Sequence, residues 1–252
     1  ELFDQTLPKY TQLKQFIPVT THAGGVTFFA GKIYVADTHL GIRVFDLNKI
    51  VAAETNATED SIGNNLGKLY AFNYAYLLPQ SGYYNLSTGD PFSSIEIGEG
   101  NSPTEKIVWT GQYFTEADAK KENRIPKVYG FSINSQGTLS TPVKVLTPKD
   151  NDKDIVYGMQ GVYRAGNKTY MTITGAGYFE GSTARLVTYT DGAEHGVRYR
   201  WPHGAEDLYL EKMLDVRGKL TEQYLWCLTE YETEKNNADN RCVFAVKLSG
   251  YD

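Results

Sequence analysis

Two of the four histidines in this chain stand at matching places, and they are its best candidates for chemistry. His22 lies two residues before Gly24 and His203 directly before Gly204, each where a run of strand-like residues begins. Gln160, directly before Gly161, holds that place in a third run, and Glu206 and Asp207 follow His203 closely. A histidine near a carboxyl group can take or give a proton near neutral pH, and the same pair can ligate a metal. His22, His203, His39 and Glu206 therefore form the candidate acid/base or metal set, with His203, His22 and Glu206 as the catalytic candidates. No two histidines stand at a metal-motif spacing such as H-x-x-x-H, so no metal is named. Cleavage by paired carboxylates needs a second acid about 5–9.5 Å from the first, and Glu96, Asp37 and Asp154 are available. Adjacent strand residues face opposite sides, so only one of Glu206 and Asp207 is expected to point at a shared ligand, and Glu206 is preferred. The structural alternative for each is a histidine bonded to a turn carbonyl, or an acid bonded to backbone amides.

Aromatic residues supply a second kind of candidate. Tyr83, Tyr84, Tyr113, Tyr178, Phe179 and Trp201 lie in or beside turn-rich segments. An exposed ring with an apolar face and a polar edge suits stacking on a sugar or another flat ligand. Tyr34, Tyr129 and Tyr170 sit within strand-like runs and read as core. There is no G-x-S-x-G, no P-loop and no EF-hand loop. Asp150-Asn-Asp-Lys-Asp154 has the acidic density of a Ca²⁺ loop but lacks its glycine and its terminal glutamate.

These residues must be positioned by strands, because the chain repeats a strand–turn–strand unit. Gly25-Val-Thr-Phe-Phe-Ala-Gly-Lys-Ile-Tyr-Val-Ala-Asp37 reads as a hairpin, and 161–173 is a second copy. A looser copy joins 205–210 to 224–228, and 106–113 with 127–133 is a further one. Third strands follow at 41–47, 184–190 and 241–247. Four segments end in proline, at Pro18, Pro79, Pro148 and Pro202, as fits the outer strand of a sheet, where a missing N–H breaks no ladder. Residues 115–123 could form one or two helical turns but lack an apolar face, so they read as a solvated loop.

Four four-stranded units repeated along one chain make a ring. The hairpin from Gly25 to Asp37 resembles the repeats of secreted and sensory β-propellers, and the resemblance covers the repeat pattern rather than any functional family. The fold expected is all-β: one propeller domain over residues 1–252, with four four-stranded blades. The blades fall at about 22–79, 92–148, 157–202 and 203–250. Leu13 to Val19 would supply the last outer strand and close the ring. A five-bladed ring and a β-sandwich are the alternatives.

A propeller gathers the loops that enter each inner strand on one face, around the mouth of its central channel. That face would carry His22, His203, His39, Gln160, Tyr113 and Tyr178, with Gln160, His39, Tyr113 and Tyr178 as ligand-binding candidates. His195 falls on the opposite face. The expected ligand is an extracellular carbohydrate or another small molecule, and any turnover would be that of a polysaccharide lyase or glycoside hydrolase. The alternatives are a non-catalytic carbohydrate- or protein-binding module and a structural propeller with a channel cation.

Composition agrees with a secreted β protein. Gly (24) and Tyr (19) are frequent among the 252 residues, which favours strands and turns over helices. The net charge of −5 and the lack of a basic run argue against nucleic acid. No run of 18 apolar residues is present, so no membrane-spanning helix is expected. The chain is expected to be a monomer. Asn56, Asn85 and Asn167 each open an N-x-S/T sequon in a turn-rich segment. Residue 1 is Glu rather than Met, as expected of a mature or engineered start. Cys227 and Cys242 lie in neighbouring strand-like runs, and a disulfide between them is expected, worth about 3 kcal/mol.

Overall fold

The structure, a computed structural model, describes residues 21–39, 41–55, 62–85, 91–100, 102, 104–150, 154–173, 184–230 and 242–251. The expected closing strand, Leu13 to Val19, lies outside the described residues, as do Asn56 and Tyr178.

Blade 1 begins with β1 (Ala23–Phe29), β2 (Lys32–Asp37) and β3 (Gly41–Asp46). The first turn is Ala30-Gly31, with φ of 50° and 73°, the left-handed pair that matches hairpin twist. An insertion follows, with β4 (Val51–Ala52), β5 (Ile62–Asn65), β6 (Lys68–Ala71) and β7 (Tyr76–Leu77), in which β4 pairs β7 and β5 pairs β6. The outer strand of blade 1 is β8 (Gln80–Asn85), against β3. The expectation that Ala75 to Pro79 forms this strand is therefore corrected. Leu77 closes a small separate core with Val51 and Ala71. Tyr84, in β8, packs on the main core and accepts a bond from the Leu139 amide at 3.0 Å. Tyr83 and Tyr84 thus belong to an outer strand and not to the channel mouth.

Blade 2 is β9 (Glu96–Glu99), β10 (Lys106–Gly111), β11 (Val128–Ile133) and β12 (Leu139–Leu146). Between β10 and β11 the chain forms α1 (Glu116–Glu122), expected as a loop. Thr115 caps its amides, Asn123 closes it in the left-handed region, and Ala119 is its one buried residue. A two-strand pair, β13 (Lys149–Asp150) and β14 (Asp154–Ile155), leads into blade 3. Blade 3 is β15 (Met159–Ala165), β16 (Lys168–Ile173), β17 (Arg185–Thr190) and β18 (Val197–Arg200). Blade 4 has three described strands, β19 (Ala205–Leu214), β20 (Leu220–Thr229) and β21 (Val243–Lys247).

Side-chain bonds stitch the blades in order around the ring. Thr27 Oγ1 donates to Glu96 Oε1, Ser93 Oγ to Met159 O, and Thr172 Oγ1 to Glu206 O. Asp207 of blade 4 accepts from the amide of Val26 in blade 1. The inner strands approach so closely that a Cβ on Gly161 would come within 2.5 Å of the Glu206 carbonyl oxygen. Apolar clusters fill the junctions of blades 1 and 2, 2 and 3, and 3 and 4. Tyr34 and Phe131, Trp109 and Met171, and Tyr163 and Leu208 are among their buried members. By fold the chain is a four-bladed β-propeller.

The expected disulfide is absent: Cys227 and Cys242 are both free thiols. Strand register explains it. Cys227 stands opposite Phe244, while Cys242 is bonded to Thr229 through Thr229 N–H to Cys242 O at 2.9 Å. The cysteines are diagonal neighbours, roughly 7–8 Å apart in such a ladder. That exceeds the roughly 5.5–6 Å Cα separation usual for a disulfide.

Candidate active site at the channel mouth

The inner strands of blades 1, 3 and 4 open on the same irregularity. The ladder register shifts between Ala23 and Gly25, between Met159 and Gly161, and between Ala205 and Leu208. A bulge frees the extra residue from the alternation and re-aims its side chain. Gln160 is the extra residue in blade 3, and Glu206 and Asp207 are the two in blade 4. Of the two acids only Glu206 lines the mouth cavity, as expected, while Asp207 takes the alternative of an acid bonded to backbone amides.

Asp207 turns across the axis. Its carboxyl group accepts from the amides of Leu208 (3.0 Å), Ile95 and Val26, in blades 4, 2 and 1. The absence of a Cβ on Gly25 makes room, since one there would lie 2.3 Å from Asp207 Oδ2. Burial and the nearby charge of Glu96 push the Asp207 carboxyl well above its ordinary range despite the three amides. Burial likewise pushes Glu96 up to about 7, against the pull of the Ile97 amide and the Thr27 hydroxyl.

Glu206 faces the mouth. Thr172 Oγ1 and Cys227 Sγ hold its backbone carbonyl. Its carboxyl group is pushed up to about 9 by burial, by a hydrogen bond shared with Glu230, and by the charges of Glu230 and Asp207. Glu206 thus holds its proton at neutral pH and donates it toward the exposed Glu230. A cavity of about 530 Å³ opens here, lined by His22, Gln160, Glu206, Glu230, Thr229 and Cys242 among others.

His22 is exposed at the edge of this cavity, and Thr38 fixes its ring. The Thr38 hydroxyl gives its single proton to the His22 carbonyl at 2.7 Å. The 2.9 Å contact from His22 Nδ1 to Thr38 Oγ1 must then be an Nδ1–H donation. In the neutral ring the free lone pair is on Nε2, which is the form a general base needs. The turn that carries Thr38 is held in its turn by Asp37. Burial raises the Asp37 carboxyl, but the His39 amide, Thr21 and Arg43 outweigh it and hold the group below its ordinary value.

The structure brings His22, Gln160 and Glu206 together, but the other candidates stand apart. His203 is half-buried in the turn before β19, and His39 is exposed beside Asp37; neither lines the mouth cavity. Tyr113 is half-buried and also lies outside the lining. Tyr178 lies outside the described residues. His195 follows β17 and so falls, by topology, at the opposite end of its blade. Among the described residues no three His, Cys, Asp or Glu side chains gather as metal ligands would. The metal set of His22, His203, His39 and Glu206 is therefore corrected: these residues do not converge. Glu230 and Asp207 are the members that sequence reasoning ranked too low. The adjacent acids at a strand start, next to the Gly24-Gly25 pair across the ring, were the available signal.

No protein-family model matches the chain, and no curated protein matches it. Fourteen chains of known structure do. One is the α-L-arabinofuranosidase from Lactobacillus brevis, at 10% identity and a TM-score of 0.34, over 89% of this chain and 90% of that one. A likeness at that score carries no argument about chemistry.

Proposed function

We propose that this propeller binds a neutral glycan at its channel mouth and hydrolyses it by acid/base catalysis. The observation that carries the reading is an acid and a candidate base in one cavity: Glu206, whose carboxyl is pushed up to about 9, and His22, whose Nδ1 is turned to Thr38. Glu206 would give its proton to the leaving glycosidic oxygen. His22 Nε2 would take a proton from the water that adds to the anomeric carbon. Solvent then returns the proton from His22 to Glu206, which closes the cycle. Gln160 and Glu230 would hold sugar hydroxyls.

The lining favours a neutral sugar over an acidic one. Among the described residues no lysine or arginine lines the mouth, so a uronate carboxylate would meet Glu206 and Glu230 without a counter-charge from them. Elimination by a lyase requires such a carboxylate beside the abstracted proton, so hydrolysis is the better supported of the two reactions. A second reading, binding without turnover, is favoured by the direct Glu206–Glu230 bond. Two carboxyl groups in contact are closer than the roughly 5–9.5 Å used by paired-carboxylate hydrolases. We further propose an extracellular monomer with no nucleic-acid or membrane partner. The sequon at Asn167, in an exposed turn, supports secretion, whereas the free thiols remove the support of a disulfide.

The test is a panel of neutral polysaccharides (xylan, arabinan, glucan and mannan) beside polygalacturonate, assayed for reducing ends and for unsaturated products. New reducing ends from a neutral polymer, abolished by Glu206→Gln and by His22→Ala, are expected. Unsaturated products from polygalacturonate would replace hydrolysis by elimination, and retention of a neutral polymer without cleavage would select the binding module.

A further inference from the structure

Among the described residues apolar core fills three of the blade junctions, but the junction of blade 4 with blade 1 is different. Val26 and Phe28 turn outward from β1, each 60% exposed. Tyr209, Leu228 and Val243 on the facing side of blade 4 are 45–70% exposed. Between Val26 and these blade 4 side chains lies a second cavity of about 400 Å³. Glu206, Ala23, Leu228 and Val243 line both this cavity and the mouth, so the two adjoin. A ligand seated at Glu206 lies next to the seam.

The seam offers an aromatic surface. Tyr209 and Trp226 are cross-strand partners in β19 and β20, and both line the cavity. The indole N–H of Trp226 donates to Glu211 Oε2 at 2.8 Å, which holds the ring in one orientation before any ligand arrives. The floor carries Glu96, Glu206 and Asp207, whose carboxyl groups are all raised by burial, and among the described residues no lysine or arginine joins them. A carboxyl group that keeps its proton can both donate to and accept from a hydroxyl. An apolar wall with a fixed aromatic pair over such a floor matches the two faces of a pyranose: C–H groups on one side and hydroxyls at the edge.

We propose that the seam between blades 4 and 1 is a saccharide subsite, with Trp226 and Tyr209 as its platform. The ligand is then an oligomer that spans mouth and seam, not a single sugar. This rests on the glycan reading of the mouth and adds the length of the substrate to it.

Tryptophan fluorescence separates the two ideas. Trp226 is 37% exposed, whereas Trp109 and Trp201, the other two of three, are 1% and 7% exposed. A ligand in the seam therefore reports through Trp226. The probes are xylose, arabinose, glucose and mannose and their linear oligomers of two to six units, titrated into the full chain by fluorescence and by calorimetry. Fluorescence change is expected with the oligomers and not with the single sugars. Trp226→Ala should weaken the longest bound oligomer roughly tenfold, the size of one aromatic contact, and leave a bound single sugar unchanged. Tyr209→Ala should act in the same direction, and circular dichroism should show both variants folded. If an oligomer binds by calorimetry but leaves Trp226 unaffected and is indifferent to Trp226→Ala, the seam subsite is wrong and the mouth stands. If no member of the panel binds, both readings fall.

Discussion

Replacing Glu96 with glutamine should make the protein more stable at high pH and leave it nearly unchanged at low pH. Glu96 is 7% exposed and its Oε1 accepts from the Ile97 amide at 2.7 Å and from Thr27 Oγ1 at 3.3 Å. A glutamine Oε1 can keep both bonds. Burial raises the carboxyl from 4.5 to about 7 in the folded chain. Below 4.5 the folded and unfolded chains are both protonated, and the side chain has no effect on the slope. Between 4.5 and about 7 the unfolded chain loses this proton and the folded chain keeps it. Stability therefore falls as pH rises through that window and levels off above it. A rise of this size corresponds to about 3 kcal/mol at roughly 1.4 kcal/mol per pH unit. Urea unfolding of wild type and Glu96→Gln at about pH 5 and about pH 8 reads the difference directly. The wild type should lose about 2.5 kcal/mol more than the variant across that interval, since the lower pH already lies inside the window. Removing the Glu96 charge also relieves Asp207, which acts in the same direction. Equal losses in the two proteins, or a variant less stable than wild type at about pH 8, would refute the burial argument.

Other outcomes follow from the same geometry. Asp207→Ala should lower stability by about 3 kcal/mol or more and depress the melting temperature, because three buried amides lose their acceptor; a melting temperature within a degree or so of wild type would show that the carboxyl group does not tie the inner strands. Under native conditions Cys242, exposed, should react with an alkylating reagent while Cys227, buried and pushed up to about 12, should react only after unfolding; a chain with no alkylated cysteine even when denatured would restore the disulfide. Any hydrolytic activity should fall as pH rises past about 9, where Glu206 loses its proton; a rate still rising there would remove Glu206 as the acid. Thr38→Val should reduce that activity roughly tenfold or more and Thr38→Ser should restore it, since only the hydroxyl sets the His22 tautomer; equal rates in the two variants would leave His22 without a positioned role.

The blades were legible because alternation and Gly turns are local, as in 161–173, which forms the expected hairpin within β15 and β16. The outer strand of blade 1 was not. Pro79 ends a strand-like segment there as the other prolines do, but Tyr76–Leu77 pairs with Val51–Ala52 inside an insertion. Tyr84 of the segment that does pair with β3 packs on the core and accepts from the Leu139 amide of blade 2, a contact made 55 residues away. The disulfide failed for a related reason. The spacing of Cys227 and Cys242 allows the residues to be opposite or diagonal, and only the pairing of Cys227 with Phe244 decides it.

The site shows the same limit in a more consequential place. Strict alternation sends Glu206 and Asp207 to opposite faces, and by that rule one acid is lost to the site. The register shift between Ala205 and Leu208 places both acids inside the bulge. Asp207 then goes inward to bind the amides of blades 1 and 2, while Glu206 goes outward to the mouth. Each acid depends on the other's position. Asp207 fixes the closely packed inner strands against which Glu206 O is held by Thr172. A single bulge at the start of one inner strand thus supplies both the closure of the ring and the protonated acid at its mouth. It also explains why the acid sits where blades 3, 4 and 1 meet, beside Gln160 on one side and His22 on the other.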